Sequence, residues 1–411
     1  MLNNSPNLSF IRFAHVSNAG LRSIATSHCA KSLQTIEAQV NDNAIEEIQS
    51  LCRACPNMMS LKLRPVRVDL DGDLISQSLA QYCPLIEVMS TGRWTLTDTG
   101  LTALACMHNL KELSLKLHGC TSAAVQRVLQ SNPQLTSIIL EGDYIDDALV
   151  RCMGRCCGNL RSIRLSKRSS PANSINALQD VFRGCPLLES FHLQQPGGIL
   201  NAVLRALFEN RHNLTTLSLS TGGSMPDVQQ LDEPILYAYY PTLTKLYVRY
   251  GGVLAGALRD IFTYCTNLRE VGLFYCIEVS DELVDLLAHT CRNLVSLYLC
   301  ACTSVTINGI LSVVTSCSSL TSLSLQEMYV NDEALILLSR NCPGLTSMRL
   351  DNCYGYPVTA TTILAVAKAC KNLSKITIRG NIQTQRFDTT FLEQAKLLYP
   401  HIKIMLIRNT R

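Results

Sequence analysis

Tryptophan occurs once in this 411-residue chain, aromatic residues make up 6% and charged residues only 17%. Low charge beside 47% hydrophobic residues excludes a disordered segment, because there is ample apolar surface to bury. Long hydrophobic runs are also missing. A membrane-crossing helix needs roughly 20 consecutive apolar residues, and stretches such as Ile310 to Val314 are broken by polar residues within a turn or two. The first residues, Met-Leu-Asn-Asn-Ser-Pro-Asn, contain no basic region followed by an apolar one, so a secretory signal is not expected. The expected location is the cytoplasm, or the nucleus. No Gly-x-x-x-x-Gly-Lys-Ser/Thr is present, and no Gly-x-Gly-x-x-Gly follows a strand pattern, which leaves nucleotide chemistry without support. A net charge of +4, from 36 basic and 32 acidic residues, is too mild for a phosphate-driven nucleic-acid binder.

What the chain does have is 19 cysteines and a repeat. An odd count at this density, with no export signal, predicts reduced thiols rather than a disulfide framework. The repeat is a phrase of one apolar residue, two variable, an apolar, one variable, an apolar. Its clearest copies are Leu268-Arg-Glu-Val271-Gly-Leu273, Leu294-Val-Ser-Leu297-Tyr-Leu299 and Leu320-Thr-Ser-Leu323-Ser-Leu325. The first apolar position recurs sixteen times, from Leu8 to Ile402, at spacings of 24 to 29 residues. That period identifies a leucine-rich repeat and predicts one domain over 1–411. Alternation within the phrase is the signature of a half-buried strand. After it come apolar residues three and four apart, such as Leu283, Leu286 and Leu287, which predict a helix. Thr97-Asp98, Ser280-Asp281, Asn331-Asp332 and Asn41-Asp42 read as helix starts.

The cysteines keep register with this phrase. Cys55, Cys83, Cys157, Cys185, Cys265, Cys291, Cys317, Cys342 and Cys370 lie three residues before it, and Cys276, Cys302 and Cys353 lie eight after its first apolar residue. A free cysteine serves as a small hydrophobe at such tight corners, so these are packing residues. The pattern resembles the cysteine-containing leucine-rich-repeat family, with Cys265-x-x-Leu268-x-x-Val271-x-Leu273-x-x-Cys276 as its best copy. The resemblance implies an α/β fold: a βα solenoid, or horseshoe, of about sixteen repeats with a parallel sheet on the concave face and helices on the convex face. It also implies a setting, since such arrays are best known as substrate receptors of F-box proteins in cullin-based (SCF-type) ubiquitin ligases. The first phrase begins within ten residues of Met1, so repeats without an F-box are expected.

In such an array the third, fifth and seventh positions of each phrase face outward from the sheet. Eleven basic residues fall there (Arg12, Lys62, Arg64, Lys116, Arg164, Lys245, Arg249, Arg349, Lys375, Arg379 and Arg408), against five acidic ones (Glu37, Glu112, Glu141, Glu270 and Asp351). The sheet face is therefore expected to hold the positive potential. Within it Lys245, Tyr247 and Arg249 should lie beside Phe274 and Tyr298, combining the residue types that dominate protein-binding hot spots. The competing explanation is that tyrosine and phenylalanine are simply good strand residues. The expected partner-binding set is Lys245, Tyr247, Arg249, Phe274, Tyr298, Arg164, Arg349, Lys375 and Arg379, directed at an acidic or phosphorylated segment of a protein partner. Pro196-Gly197-Gly198, Gly222-Gly223 and Gly251-Gly252 form a possible glycine edge nearby, or plain tight turns.

Other candidates are better explained by packing or solvation. Ile45, Ile48, Cys52 and Cys55 continue one helical face, which favours core over a half zinc site. Cys152, Cys156 and Cys157 have no matching pair at finger-like spacing, so no metal is expected. His192 falls on the sheet with no nucleophile signature nearby, and no cofactor is implied. Lys167-Arg-Ser-Ser-Pro171 reads as a polar loop insertion and Asp227 to Pro234 as a proline-flanked excursion. The expectation is a non-enzymatic protein-interaction scaffold, in ubiquitin-ligase substrate selection or in cell-cycle and signalling regulation. The rivals are a receptor for a small anionic ligand, as some plant hormone receptors of this subfamily are, and an activator of a GTPase or other enzyme.

Overall fold

The computed structural model describes residues 5, 7–66, 70–92, 94–167, 173–195, 200–210, 213–221, 240–249, 255–354, 358–379 and 389–407. The glycine edge, residues 168–172, Asp227 to Pro234 and Arg408 lie outside the described residues. The chain divides into two compact units, Met1–Pro196 with Glu209–His212, and Gly197–Phe208 with Asn213–Arg411. In both, the phrase is a short strand and the segment after it a helix, repeated along the chain. Sixteen strands of the main sheet occur among the described residues, eight in each unit, and successive strands within a unit pair in parallel. Leu70–Asp71 and Trp94–Thr95 form a small separate parallel pair. Among the described residues no helix is long and apolar enough to cross a membrane.

Side-chain alternation follows the expected phase. Val271, Leu273, Leu297, Leu299, Leu323 and Leu325 are almost wholly buried between sheet and helices, while Ser296, Tyr298, Ser322 and Ser324 are partly exposed on the other face. The last copy departs from this. Ile402 is buried in the turn, but Lys375 pairs with Lys403 and Ile376 with Ile404, so one residue is missing between turn and strand. A one-residue slip exchanges the two faces, and it is Lys403, Met405 and Ile407 that share the outer rows, in place of the expected set ending at Arg408.

Three hydrogen-bond ladders join neighbouring repeats. The first is made by thiols. All nineteen cysteines are free, and all but Cys106, Cys156 and Cys353 are buried. Those before the phrase end the helices, and the thiols of Cys83, Cys157, Cys185, Cys291, Cys317, Cys342 and Cys370 each donate to a carbonyl at the end of the preceding helix. Cys83 reaches Cys52 O at 3.4 Å, Cys185 reaches Cys157 O at 3.5 Å and Cys342 reaches Val314 O at 3.5 Å. Helix C-termini leave four carbonyls without intrahelical partners, and the thiol satisfies one of them from the next repeat. Burial pushes the thiols of Cys55, Cys185 and Cys342 up to about 12, so they stay protonated, and Cys185 and Cys342 can donate. Asn132 replaces the cysteine in one copy. It is fully buried, donates to Val128 O at 3.0 Å and accepts from Leu110 N at 3.0 Å.

The second ladder runs between helix starts. Thr97 and Asn331 cap their helices by accepting from Thr99 N and Ala334 N. Ser280 holds the cap position with no side-chain bond. Asn41-Asp42 does not start a helix: the helix begins at Ile45 behind Ala44, and Asn41 donates to Asn18 Oδ1 instead. The aspartates after the caps reach across to the next repeat. Asp98 accepts from Thr121 N and Oγ1, both at 2.7 Å, and Asp281 and Asp332 treat Thr306 and Thr359 in the same way. The Thr121 hydroxyl and amide hold the Asp98 carboxyl below the usual aspartate range. At Asp147, burial pushes upward but bonds from Ser174 and Asn173 outweigh it, and the net shift is again downward. A carboxyl lowered on folding adds stability that is complete above its unfolded value near 4 and is lost as pH falls through its lowered folded value. The acid limb of the stability curve should therefore be shallower in Asp98→Asn/Asp147→Asn. Urea unfolding between pH 5 and pH 2 checks this, and parallel limbs would refute it.

The third ladder follows the strands of the second unit. Tyr275, Ala301, Glu327 and Asn352 stand one after another in left-handed backbone, with φ between 47° and 58°. Their amides donate to the next repeat, for example Tyr275 N to Cys300 O at 2.7 Å and Asn352 N to Arg379 O at 2.7 Å. Glycine and asparagine tolerate this conformation, whereas for alanine it costs roughly 1–2 kcal/mol. Because glycine also gains unfolded-state entropy, Ala301→Gly should stabilise the second unit by about 0.5–1 kcal/mol, read as a higher denaturation midpoint.

In the first unit the helices Asp147–Cys156 and Ile175–Gly184 touch backbone to backbone. A Cβ on Gly184 would stand 1.9 Å from Gly154 O, and one on Gly154 would stand 2.5 Å from Asp180 O. Lys167, expected in a solvated insertion, is instead 4% exposed, and its Nζ donates to Ile145 O at 2.7 Å. Burial lowers its pKa although Asp147 and Asp143 oppose the shift. A lysine stem packs like an aliphatic residue, which the polar residues after it concealed.

Candidate protein-interaction surface

The sheet face of the second unit presents three rows of side chains. The middle row runs Tyr247, Gly272, Tyr298, Ser324, Arg349, Thr377, and the row towards the strand ends runs Arg249, Phe274, Cys300, Gln326, Asp351, Arg379. Lys245 heads the third row, followed by Glu270, Ser296, Ser322, Ser347 and Lys375. Eight of the nine expected residues therefore share this face. Arg164 does not, because it belongs to the first unit, between Ile139 and His192.

Gly272 shapes the centre. A Cβ there would meet Tyr247 Cδ1 at 2.7 Å and Phe274 Cε2 at 2.8 Å, so both rings lie over the glycine. The Arg249 guanidinium sits 4.9 Å from the centroid of Phe274, a cation–π arrangement. Tyr247 and Phe274 are only partly exposed, whereas Arg249 is open to solvent.

Glu270, counted in the sequence only as one of five acidic positions, organises the patch. It accepts the Tyr247 hydroxyl, and Lys245 Nζ lies 3.1 Å from its other oxygen. Burial pushes the Glu270 carboxyl up, but the Tyr247 and Lys245 bonds outweigh it and hold the group below the usual range. Burial, with the bond to Glu270, pushes the Tyr247 phenol above its ordinary value, so it remains a neutral donor. Lys245 is thus compensated. Arg349 is compensated too, donating through Nε at 2.7 Å to the buried Asp351. Both carboxylates were visible beside their cations in the aligned phrases. Lys375 and Arg379 are exposed and have no carboxylate partner among the described residues, which places the uncompensated charge at the far end of the face.

Other candidates resolve into structure. Cys52 and Cys55 are fully buried. Cys152 and Cys156 lie with sulfurs 3.7 Å apart, and no cluster of three or more metal-ligating side chains occurs among the described residues. Burial, helped by Arg164, pushes His192 down to about 4, so it is neutral at physiological pH.

Repeat length, parallel strands with helices on their other side, and the thiol register define a leucine-rich-repeat protein. Its repeats resemble those of the cysteine-containing leucine-rich-repeat family. The chain is 26% identical over 339 residues to a transport inhibitor response 1-like protein of Oryza sativa subsp. japonica, covering 75% of this chain and 54% of the relative. It is 24% identical over 358 residues to the F-box protein FBX14 of Arabidopsis thaliana, covering 75% and 56%. The chain thus spans about half the length of these curated relatives. No family model matches. Among solved structures, the yeast Rad7 and Elc1 complex aligns with a TM-score of 0.47 at 17% identity, covering 86% of this chain and 79% of that one. The leucine-rich repeat-containing protein LegL7 from Legionella pneumophila aligns at 0.43 and 14%, covering 74% and 95%.

Proposed function

We propose that the chain is a non-enzymatic protein-interaction scaffold whose second unit binds an extended segment of a partner across its sheet face. The carrying observation is the separation of chemistry along that face. Tyr247, Phe274, Tyr298 and the stacked Arg249 form an aromatic anchor at one end, and Lys375 and Arg379 supply free positive charge at the other. Five strand intervals separate Arg249 from Arg379, about 24 Å at the usual spacing. An extended segment of about seven residues spans that length. The fitting partner places an apolar or aromatic residue over Gly272 and acidic or phosphorylated residues over Lys375 and Arg379. Together the 1–411 repeats would act as one binding domain inside the cell. The F-box relative supports a ubiquitin-ligase setting. Affinity purification from the source cells with mass spectrometry tests that setting: adaptor and cullin subunits should co-purify, and their consistent absence would overturn it.

A further inference from the structure

A second recessed place lies on the sheet of the first unit, where the ladder breaks. Strand Ser60–Pro65 pairs with Val88–Ser90 through only Ser60↔Val88 and Leu61↔Met89. The chain then turns away through Gly92, in left-handed backbone at φ 46°, while Thr91 N bonds to Ser114 O on the far side. A hollow of about 270 Å³ opens at the split, and a broader one of about 630 Å³ adjoins it towards Arg12. Lys62 and Arg64 line both.

The charges decide what fits. Arg12 and Lys62 both bind Glu37, Lys62 at 3.4 Å, so this trio carries one net positive charge. Arg64 is exposed and has no carboxylate partner among the described residues, and Glu112 borders the smaller hollow. Among the described lining residues, three cations against two carboxylates leave a single positive charge to be met. A carboxylate meets it. A phosphate, carrying about −1.5 to −2, would over-compensate it and face Glu37 and Glu112. The smaller hollow falls below the roughly 300–1,000 Å³ of small-molecule sites, but it accommodates one side chain. The hydroxyls of Ser90, Ser114 and Ser137 stand around it as further donors.

We infer that this split is a second recognition site, which takes one aspartate or glutamate side chain from an extended partner segment. The carboxylate meets the Arg64 guanidinium in the smaller hollow, and the adjoining backbone lies in the broader one beside Arg12. The site is separate from the aromatic face of the second unit and does not depend on that face's role.

A displayed library of random linear dodecapeptides, selected on the full chain and resynthesised for affinity measurement, provides the test. Peptides should emerge with an acidic residue at one fixed position. Their affinity should fall at least tenfold in Arg64→Gln, and equally when that residue becomes Asn or Gln, while Tyr247→Ala leaves it unchanged. Arg64→Lys, which keeps the charge but loses the two-pronged donor, should give an intermediate loss. Arg64→Glu should shift selection towards lysine or arginine at the same position. Because Arg64 is exposed, each variant should melt within a degree or two of the parent. Failure to select any peptide whose binding Arg64→Gln abolishes would overturn the inference. So would tighter binding when phosphoserine replaces the acidic residue, or selected peptides lost only in Tyr247→Ala.

Discussion

Gly184→Ala should destabilise the first unit by about 3 kcal/mol, the upper part of the range for forcing extra atoms into a packed contact. The added methyl would have to stand 1.9 Å from Gly154 O, a backbone atom that cannot rotate aside. Relief requires the helices Asp147–Cys156 and Ile175–Gly184 to separate. That separation would strain the Cys185 thiol bond to Cys157 O and the Asp147 bonds to Ser174. Denaturant unfolding should show the loss. Hydrogen exchange should place the faster opening in these repeats, with the second unit little changed. Gly158→Ala is the control, since its Cβ would meet nothing closer than 3.4 Å and should cost well under half as much. Equal losses for the two substitutions would remove close helix contact as the cause.

The Tyr247→Ala/Arg249→Ala double variant should bind its partner at least tenfold more weakly, with the melting temperature held within a degree or two. One hot-spot residue accounts for such a factor. The aromatic face is partly exposed and packs over a glycine, so truncation opens no cavity in the aliphatic core. The Tyr247 substitution also removes the hydroxyl that Glu270 accepts, leaving that carboxylate to Lys245 and Tyr298. Tyr247→Phe separates these contributions: retained affinity assigns the effect to the ring, lost affinity to the Tyr247–Glu270 pair. A collapse in melting temperature in the double variant would make the two side chains structural.

Much of this architecture was legible because a repeat multiplies every local signal. A single Leu-x-x-Leu-x-Leu fixes little, but sixteen in series phase the strands. The nine thiols three residues ahead fall at or just after the helix ends that the structure contains. Legibility failed where one copy broke the rule. The residue lost after Ile402 shifts the final strand's faces; this copy fits the phrase only loosely, and the unbroken apolar run Ile404-Met405-Leu406-Ile407 suits either phase. The helix start near Asn41 was misplaced because asparagine and aspartate serve in inter-repeat bonds as readily as in caps. In the candidate surface the row neighbours of Arg249 and Tyr247 followed from the alignment of phrases. Their charge state did not, since it depends on Glu270 and Asp351 turning towards cations rather than solvent. The split beside Lys62 was hidden for another reason. The phrase at Ile86 fits only loosely, with Thr91 in its last apolar position, but only the short strand ending at Ser90 reveals that pairing stops there.

Burial and a donated proton make the ladder sulfurs poor nucleophiles, since thiolate chemistry needs both access and ionisation. Cys106 is the one thiol the structure leaves open to solvent. A chain rich in sulfur should therefore behave towards a maleimide dye as though it carried almost a single reactive handle. That handle lies just past the end of the Asp98–Ala105 helix, where a fluorophore could report on the first unit without touching either sheet face.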